Sequence, residues 1–129
     1  MRRTLSALAV AATFVLAACG GGASPAPSTA EPTAAADPCA PSTAAGTVTA
    51  SIIDFEFDPA TVNAKVGDVI SWTNDGLAPH TATVDGTPAC TTPQLAPEAS
   101  GGISFSAAGS YPFHCSVHPT MKGTIEVSE

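Results

Sequence analysis

The sequence predicts an all-β domain of the sandwich or barrel type, and two observations lead to this prediction. Gly 11 and Pro 12 together make 23 of the 129 residues, which is too many helix-breaking residues for a helical bundle or a coiled coil. Segments with an apolar side chain at every second position follow one another at short intervals, separated by turn-forming pairs such as Gly67-Asp68 and Asp85-Gly86. Short alternating segments at this spacing are typical of two-layer or closed β structures.

About seven or eight strands can be placed in order along the chain. The first contains Val48, Ala50 and Ile52 alternating with small polar residues, so one of its faces is expected to be buried. Later segments repeat this alternation, and the pair Asp58-Pro59 and the triplet Asn-Asp-Gly at 74–76 end two of them. The predicted strands cover residues 48–52, 55–57, 62–66, 69–73, 80–84, 103–105, 111–115 and 123–127.

The first 18 residues have the layout of a secretory signal peptide. Arg2 and Arg3 precede an uncharged apolar run over 5–18, and this run is shorter than the roughly 18 residues of a membrane-spanning helix. It ends in Leu-Ala-Ala-Cys at 16–19, which resembles a bacterial lipobox, so we expect cleavage before Cys19 and lipidation of its thiol and amine. Several acyl chains would anchor the protein stably to a membrane. The alternative is an ordinary signal peptide followed by a chance cysteine.

A tether is predicted between the anchor and the folded domain. Residues 19–45 consist mainly of Gly, Ala, Ser, Thr and Pro, with Glu31 and Asp37 as the only charged residues. Such a composition buries too little apolar surface to hold a fold. The predicted organisation is therefore a signal peptide over 1–18, a lipid-anchored tether over 19–45 and a folded domain over 46–129.

The charge balance is strongly acidic. Lys+Arg 4 against Asp+Glu 11 gives a formal net charge of −7, which argues against nucleic acid as a partner. Loss of Arg2 and Arg3 with the signal peptide, together with acylation of the new amine, would leave 2 − 11 = −9. A basic protein surface is the electrostatic complement of such a chain, and the plainer interpretation is that the acidity keeps the domain soluble.

The four cysteines allow three complete pairings. If Cys19 is lipidated, three thiols remain and one of them stays free. A disulfide between Cys39 and Cys90 would leave Cys115 available and would staple a domain whose small size limits its core. The opposing interpretation is that Cys39 and Cys90 lie too far apart to meet.

The segment 111–123 carries candidate metal ligands. A thiol, an imidazole and a thioether recur there at the spacing Cys-x2-His-x2-Met, as Cys115, His118 and Met121. Sulfur ligands combined with imidazole select copper, and two His, one Cys and a weak axial Met are the ligand set of blue-copper sites. The second imidazole would come from His80, which lies 35 positions before Cys115 on a different strand or loop. The sequence therefore predicts a copper site formed by His80, Cys115, His118 and Met121.

Each of these residues alone has a plainer interpretation. A lone Cys115 would usually be a small buried core residue, and a lone Met121 would usually fill a gap in a core. Three metal-binding side chains within seven positions, at the start of a loop between two strands, favour the metal site instead. His114 is left out of the ligand set because in an extended strand it points away from the face shared by Phe113 and Cys115.

In these residues the chain resembles the cupredoxins. The loop His-Cys-x-x-His-Pro-x-Met over 114–121, followed by a basic residue and Gly, is similar to the short ligand loop of the amicyanins. The resemblance covers most of 46–129, including Phe57-Asp58-Pro59 and Pro79-His80. It implies a Greek-key β-sandwich with one type 1 copper at one end.

The chain departs from the cupredoxin pattern at one position beside the ligands. Thr81 stands where many relatives have Asn after the first His ligand. That Asn normally steadies the two ligand loops through the residue after the Cys, which here is Ser116. A contact from Thr81 to Ser116 would take its place.

The resemblance implies an electron carrier and not an enzyme, with copper cycling between Cu(I) and Cu(II). The expected partners are redox proteins of the bacterial cell envelope, such as a c-type cytochrome or a membrane or periplasmic oxidoreductase. The protein is expected to be an extracytoplasmic monomer held at the membrane by its lipid anchor. A weak docking surface is expected around His118, formed by Leu77, Ala78, Pro79, Val117 and Pro119.

Three other functions compete with electron transfer. A copper-binding or delivery protein would use the same ligands but needs an exposed, exchangeable site. A multicopper enzyme needs further His-rich motifs, whereas the chain has His 3. A structural domain without metal would leave the clustering of Cys115, His118 and Met121 unexplained.

Overall fold

The computed structural model describes residues 36–129. The predicted signal peptide over 1–18, the predicted lipidation site Cys19 and the tether up to residue 35 lie outside the described residues. Residues 36–129 contain nine strands and no helix. The strands are β1 (Cys39–Ser42), β2 (Val48–Ile53), β3 (Glu56–Asp58), β4 (Thr61–Lys65), β5 (Val69–Asn74), β6 (Thr83–Val84), β7 (Ser100–Phe105), β8 (Gly109–His114) and β9 (Lys122–Ser128).

The strands form two sheets packed against each other. One sheet has the order β1-β7-β5-β2-β3, and the other has the order β4-β9-β8-β6. β2 runs parallel to β5 and β4 runs parallel to β9, while the other neighbours are antiparallel. Parallel neighbours need crossover connections. Between β2 and β5, for example, the chain crosses to the other sheet to form β4. The predicted all-β sandwich is confirmed. Nothing in residues 36–129 forms a helix long and apolar enough to cross a membrane.

One strand was not expected from the sequence. β1 lies within the stretch 19–45 that composition assigns to the tether, yet it pairs with β7 along its whole length, from Cys39 opposite Phe105 to Ser42 opposite Gly102. It has no alternating apolar pattern because it occupies the edge of its sheet, where Pro41 is also tolerated. The paired region therefore starts at Cys39, ahead of residue 46.

The core follows the alternation read from the sequence. In β4, Val62 and Ala64 are buried while their neighbours are exposed. Phe113 of β8 packs between the sheets, with its ring centroid 4.5 Å from that of Phe57 and 5.6 Å from that of Trp72. Aromatic pairs at such separations contribute about 0.5–1.5 kcal/mol beyond the area they bury. This cluster joins the two sheets just before β8 reaches Cys115.

A disulfide joins the two sheets at their edges. Cys39 and Cys90 are bonded, with Cα atoms 5.7 Å apart, so the two residues do not lie too far apart to pair. Cys39 begins the edge strand β1, and the carbonyl of Cys90 accepts the N–H of Val84 in β6, the edge strand of the other sheet. Among the described residues, Cys115 remains as a free thiol.

Gly123 allows β9 to approach β8 directly after the ligand loop. A Cβ atom at this position would lie 2.5 Å from the ring of Phe113 and 2.7 Å from the carbonyl oxygen of Ala60. Real Cβ atoms do not approach other atoms this closely, so only glycine fits without displacing the core. The close packing fixes where the segment 115–121 ends.

Candidate metal centre

The segment 115–121 is a short loop that closes on its own backbone between β8 and β9. The N–H of Cys115 donates to the carbonyl of Met121 over 3.1 Å, and the N–H of Met121 donates to the carbonyl of His118 over 2.9 Å. These two bonds bring the first and last residues of the loop together. Cys115 is fully buried and Met121 is 2% exposed, so both sulfur-containing residues lie inside the sandwich.

His80 comes from a second loop, which joins β5 to β6. Two backbone hydrogen bonds tie it to Leu95, with N···O distances of 3.0 and 2.8 Å. The buried amide of Asn74 at the end of β5 donates to the carbonyls of Ala78 and Leu95. Because this loop is fixed on both sides, the imidazole of His80 is held fully buried beside the 115–121 loop.

Three side-chain donor atoms converge where the two loops meet. Sγ of Cys115 lies 3.7 Å from Nδ1 of His80 and 3.9 Å from Nδ1 of His118, and the two Nδ1 atoms are 3.2 Å apart. His118 is partly exposed, whereas the other two residues are buried. The three donor atoms thus face one point, with His80 and Cys115 on its buried side and His118 on its solvent side.

These distances fit a metal ion bound by one thiolate and two imidazoles. Bonds of about 2.3 Å to sulfur and about 2.0–2.1 Å to nitrogen, spread at about 120°, would place the nitrogens about 3.5 Å apart and each nitrogen about 3.8 Å from the sulfur. The separations in the structure, 3.2 Å between the nitrogens and 3.7 and 3.9 Å from the nitrogens to the sulfur, are close to these values. A thiolate with two imidazoles in a trigonal arrangement suits copper, with a weak axial methionine as the usual fourth ligand.

The structure brings together His80, Cys115 and His118 of the four predicted ligands. Met121, the fourth, is buried at the end of the same loop, hydrogen-bonded to Cys115 and His118 through its backbone. His114 turns away from this group, as the strand geometry predicts, and pairs with Asp85 on the surface instead.

Thr81 contacts Ser116 and so links the two ligand loops. Its hydroxyl oxygen accepts the N–H of Ser116 over 2.8 Å, and its own N–H points at Sγ of Cys115 over 3.4 Å. The hydroxyl of Ser116 also bonds to that of Thr83, which in turn bonds to Thr91. A chain of hydroxyl groups therefore links the two ligand loops. Sequence reasoning missed Thr83 and Thr91, because nothing local marks residues that meet only after folding.

Replacing Thr81 by valine should loosen the connection between the ligand loops. Valine keeps the shape but leaves the Ser116 N–H without its acceptor, which we expect to lower the free energy of unfolding by about 1 kcal/mol. Urea unfolding of the copper-free protein measures this effect. Thr81→Ser retains the hydroxyl, so its free energy of unfolding is expected to stay near that of the parent. Equal losses of stability in both variants would contradict the role of the hydrogen bond.

Burial lowers the pKa of His80, electrostatic repulsion from the neighbouring His118 imidazole lowers it further, and the Asp54 carboxylate raises it. An unperturbed histidine titrates near 6.5. The imidazole of His80 is therefore neutral at neutral pH, with Nδ1 able to bind a metal. No proton has to be removed from it first.

The stability of the copper-free protein should fall as the pH falls below about 6.5. In this window the unfolded chain takes up a proton at His80 that the folded protein does not, so stability rises with pH until the unfolded histidine is neutral. The fall ends once the pH is below the lowered pKa of the folded state. Urea midpoints measured from pH 7.5 downward test this, and His80→Gln should flatten the profile relative to the parent. An equally steep profile in that variant would assign the effect to another group.

Phe55 is a further residue at the site that the sequence did not reveal. The alternation of Phe55 with Glu56 and Phe57 predicts a strand residue, but the structure places Phe55 in the turn between β2 and β3. Its ring lies edge-on to both imidazoles, with centroids 5.8 Å from His80 and 4.9 Å from His118. The available signal was the neighbouring Asp54, which can begin a turn as well as interrupt a strand.

Comparison with known proteins places this geometry in a family. A family model described as "Cupredoxin-like domain" matches residues 7–127. The chain is 32% identical over 86 residues to amicyanin from Paracoccus denitrificans, an alignment that covers 64% of this chain and 66% of that protein. It is 30% identical over 87 residues to amicyanin-alpha from Methylorubrum extorquens, covering 64% of this chain and 73% of the relative. The chain thus spans just under two thirds of the first of these relatives.

Solved amicyanin structures have the same fold. A reduced tryptophan-to-tyrosine variant of amicyanin superposes with a TM-score of 0.63 at 23% identity, covering 71% of this chain and all of that one. The Cu(I) form of a methionine-to-alanine variant of amicyanin gives a TM-score of 0.59 at 28% identity, covering 69% of this chain and 92% of the other. With the family model matching nearly the whole sequence and the two-loop donor cluster in place, the chain belongs to the cupredoxin family.

Proposed function

We propose that this protein is a type 1 blue-copper electron carrier of the bacterial cell envelope, with His80, Cys115, His118 and Met121 as the copper ligands. The observation that carries the proposal is the convergence of Sγ of Cys115 and the two Nδ1 atoms within 4 Å of one another. The relatives named amicyanin, one of them solved in a Cu(I) form, support the choice of metal.

Bound copper would supply a one-electron Cu(I)/Cu(II) couple. The protein's own residues would hold the donor atoms nearly fixed in both states, because each ligand loop is tied down by backbone hydrogen bonds and the Thr81–Ser116 bond links them. A site that rearranges little opposes electron transfer little, and no substrate bond is formed or broken. Cys115, His80 and His118 would hold the copper through their sulfur and nitrogen atoms, and the thioether of Met121 would tune the potential as a weak further ligand.

Burial favours a carrier over a copper-delivery protein. His80 and Cys115 are each fully buried, and Met121 is nearly so. Handing copper to another protein requires ligands that an acceptor can reach, whereas here only His118 is partly exposed. This arrangement retains copper and offers a single imidazole at the surface as a route for the electron.

We propose that redox partners dock on the apolar surface around His118. Leu77 is 88% exposed and Val117 is 38% exposed, and Pro79 and Pro119 are exposed beside the two histidines. The strongly acidic chain would be steered toward a partner with a basic surface, such as a c-type cytochrome or a membrane or periplasmic oxidoreductase. A small apolar surface with electrostatic steering suits brief, fast encounters of a monomeric carrier.

The proposed location is the extracytoplasmic part of the bacterial cell envelope. The disulfide between Cys39 and Cys90 fits an oxidising compartment. The signal peptide over 1–18 would direct export before its cleavage, and the lipidated Cys19 with the tether would hold the folded domain near the membrane.

The function is tested by loading the protein with copper and measuring its electrochemistry. We expect a reversible one-electron couple, together with copper that a weak chelator removes only slowly. Rapid copper loss to a weak chelator without a reversible couple would contradict electron transfer and support copper delivery. Failure to bind copper in stoichiometric amounts would contradict both copper functions and support the alternative of a structural domain without metal.

A further inference from the structure

We propose that Phe55 is a positioning residue for the two histidine imidazoles. Its ring orients them in place of the hydrogen bond that usually orients a metal-bound histidine. This inference rests on the proposed copper site. It concerns how His80 and His118 are held in place by a residue that binds no metal itself.

The first observation is that the second ring nitrogen of His80 makes no hydrogen bond to the described residues. A metal-binding histidine ordinarily donates its second ring N–H to a carboxylate, a carbonyl or water, which fixes the orientation of the ring. Nδ1 of His80 faces the donor cluster, and Nε2 is buried with no hydrogen-bond partner among residues 36–129. No hydrogen bond from residues 36–129 therefore orients this ring at Nε2.

The second observation is the contact that Phe55 makes. Its ring stands nearly perpendicular to both imidazoles, at 80° to His80 and 89° to His118, with the centroids 5.8 and 4.9 Å away. Edge-to-face geometry at these separations is the favourable arrangement for aromatic rings. Phe55 is itself 57% exposed, so it forms the outer layer over the fully buried His80. One ring touches both imidazoles and so fixes their relative orientation.

The third observation is that the chain holds Phe55 in an unfavourable backbone conformation. Ile53 pairs with Glu56, which leaves a two-residue turn between β2 and β3. Both turn residues have positive φ, 29° for Asp54 and 74° for Phe55. Turns of this kind favour Asn and Gly, because a Cβ atom is crowded there. A bulky aromatic residue at such a position indicates strain retained for function.

These observations predict opposite effects of one substitution on folding and on copper retention. Phe55→Gly removes the crowded Cβ from the turn, so the copper-free protein should unfold at the same or a higher temperature. The same change removes the contact that holds the imidazoles. His118 is the partly exposed member of the donor cluster, so copper is expected to leave on its side, and loss of an aromatic contact to its ring should speed copper(I) release by about two- to tenfold.

The experiment compares copper(I) release to a competing chelator in the full chain and its variants. Phe55→Tyr keeps the ring and should release copper at the parent rate. Val66→Ala removes another exposed apolar side chain, 40% exposed against 57% for Phe55, and should also match the parent. In the copper-free protein, NMR should show contacts between the rings of residues 55 and 118 in the parent and in Phe55→Tyr. The same spectra should show averaged imidazole signals in Phe55→Gly.

Each outcome decides the proposal. Faster release in Phe55→Gly alone, with copper-free stability maintained, supports it. An unchanged release rate, equal acceleration in Phe55→Tyr, or acceleration that accompanies a matching loss of copper-free stability would overturn it. If the parent protein shows no intense blue absorption with Cu(II), the proposed function fails instead, and the NMR contacts still report on the role of Phe55 in the copper-free fold.

Discussion

Replacing Cys115 by alanine is expected to abolish the intense blue absorption that the protein should show with Cu(II). This absorption arises from charge transfer between a thiolate and copper, and Cys115 is the free cysteine among residues 36–129. Its Sγ lies within 4 Å of both imidazole Nδ1 atoms. The remaining two histidines would bind Cu(II) weakly and give a pale solution. Visible spectra recorded during a copper titration measure the effect.

A matched control for Cys115→Ala is the neighbouring substitution His114→Ala. His114 lies next to Cys115 in the sequence but pairs with Asp85 on the surface, away from the donor cluster. We expect the His114→Ala protein to keep its full blue absorption. A variant lacking Cys115 that still turns blue would contradict the proposed ligand set. Loss of the blue absorption in His114→Ala would show that the side chain of His114 faces the donor cluster.

The donor cluster could be foreseen because its chemistry is concentrated in sequence. Cys115, His118 and Met121 lie within seven residues, and one loop of this length cannot place them far apart. His80 was predicted as the second imidazole from the ligand set that a blue-copper site requires, since its distance from Cys115 in the chain says nothing about distance in space. Alternation revealed most strands for a similar local reason, because a half-buried strand shows its buried face in every second residue.

The features that escaped prediction depend on contacts between distant segments. β1 is an edge strand that carries Pro41 and has no alternating pattern, so its pairing with β7 leaves no local trace. The strained turn at Phe55 resembles a continuing strand in sequence, and its role follows only from the imidazoles that it meets. Such residues are constrained by what they touch after folding, and a single sequence does not record those partners.

Removing the disulfide should cost the domain a large part of its stability while leaving the copper site intact. The bond between Cys39 and Cys90 closes a loop with a sequence separation of 51, for which the chain-entropy model gives about 4 kcal/mol. We therefore expect the Cys39→Ala, Cys90→Ala double variant to lose about 2–5 kcal/mol, the range found for native disulfides of small secreted domains. Urea unfolding of the copper-free protein measures the loss.

The position of the bond explains why stability and copper binding should separate. Cys39 and Cys90 tie the edge strand β1 to the edge at β6, whereas the ligand loops are held by their own hydrogen bonds and by the Thr81–Ser116 contact. In native buffer the double variant should therefore turn blue like the parent.

The reduced parent serves as the control and should unfold at the same urea concentration as the double variant, since both lack the same link. If the double variant were as stable as the oxidised parent, the bond would constrain nothing in the unfolded chain. If its blue colour were lost in native buffer, the sheet edges would be holding the ligand loops, and the hydrogen bonds within and between those loops would not suffice to form the site.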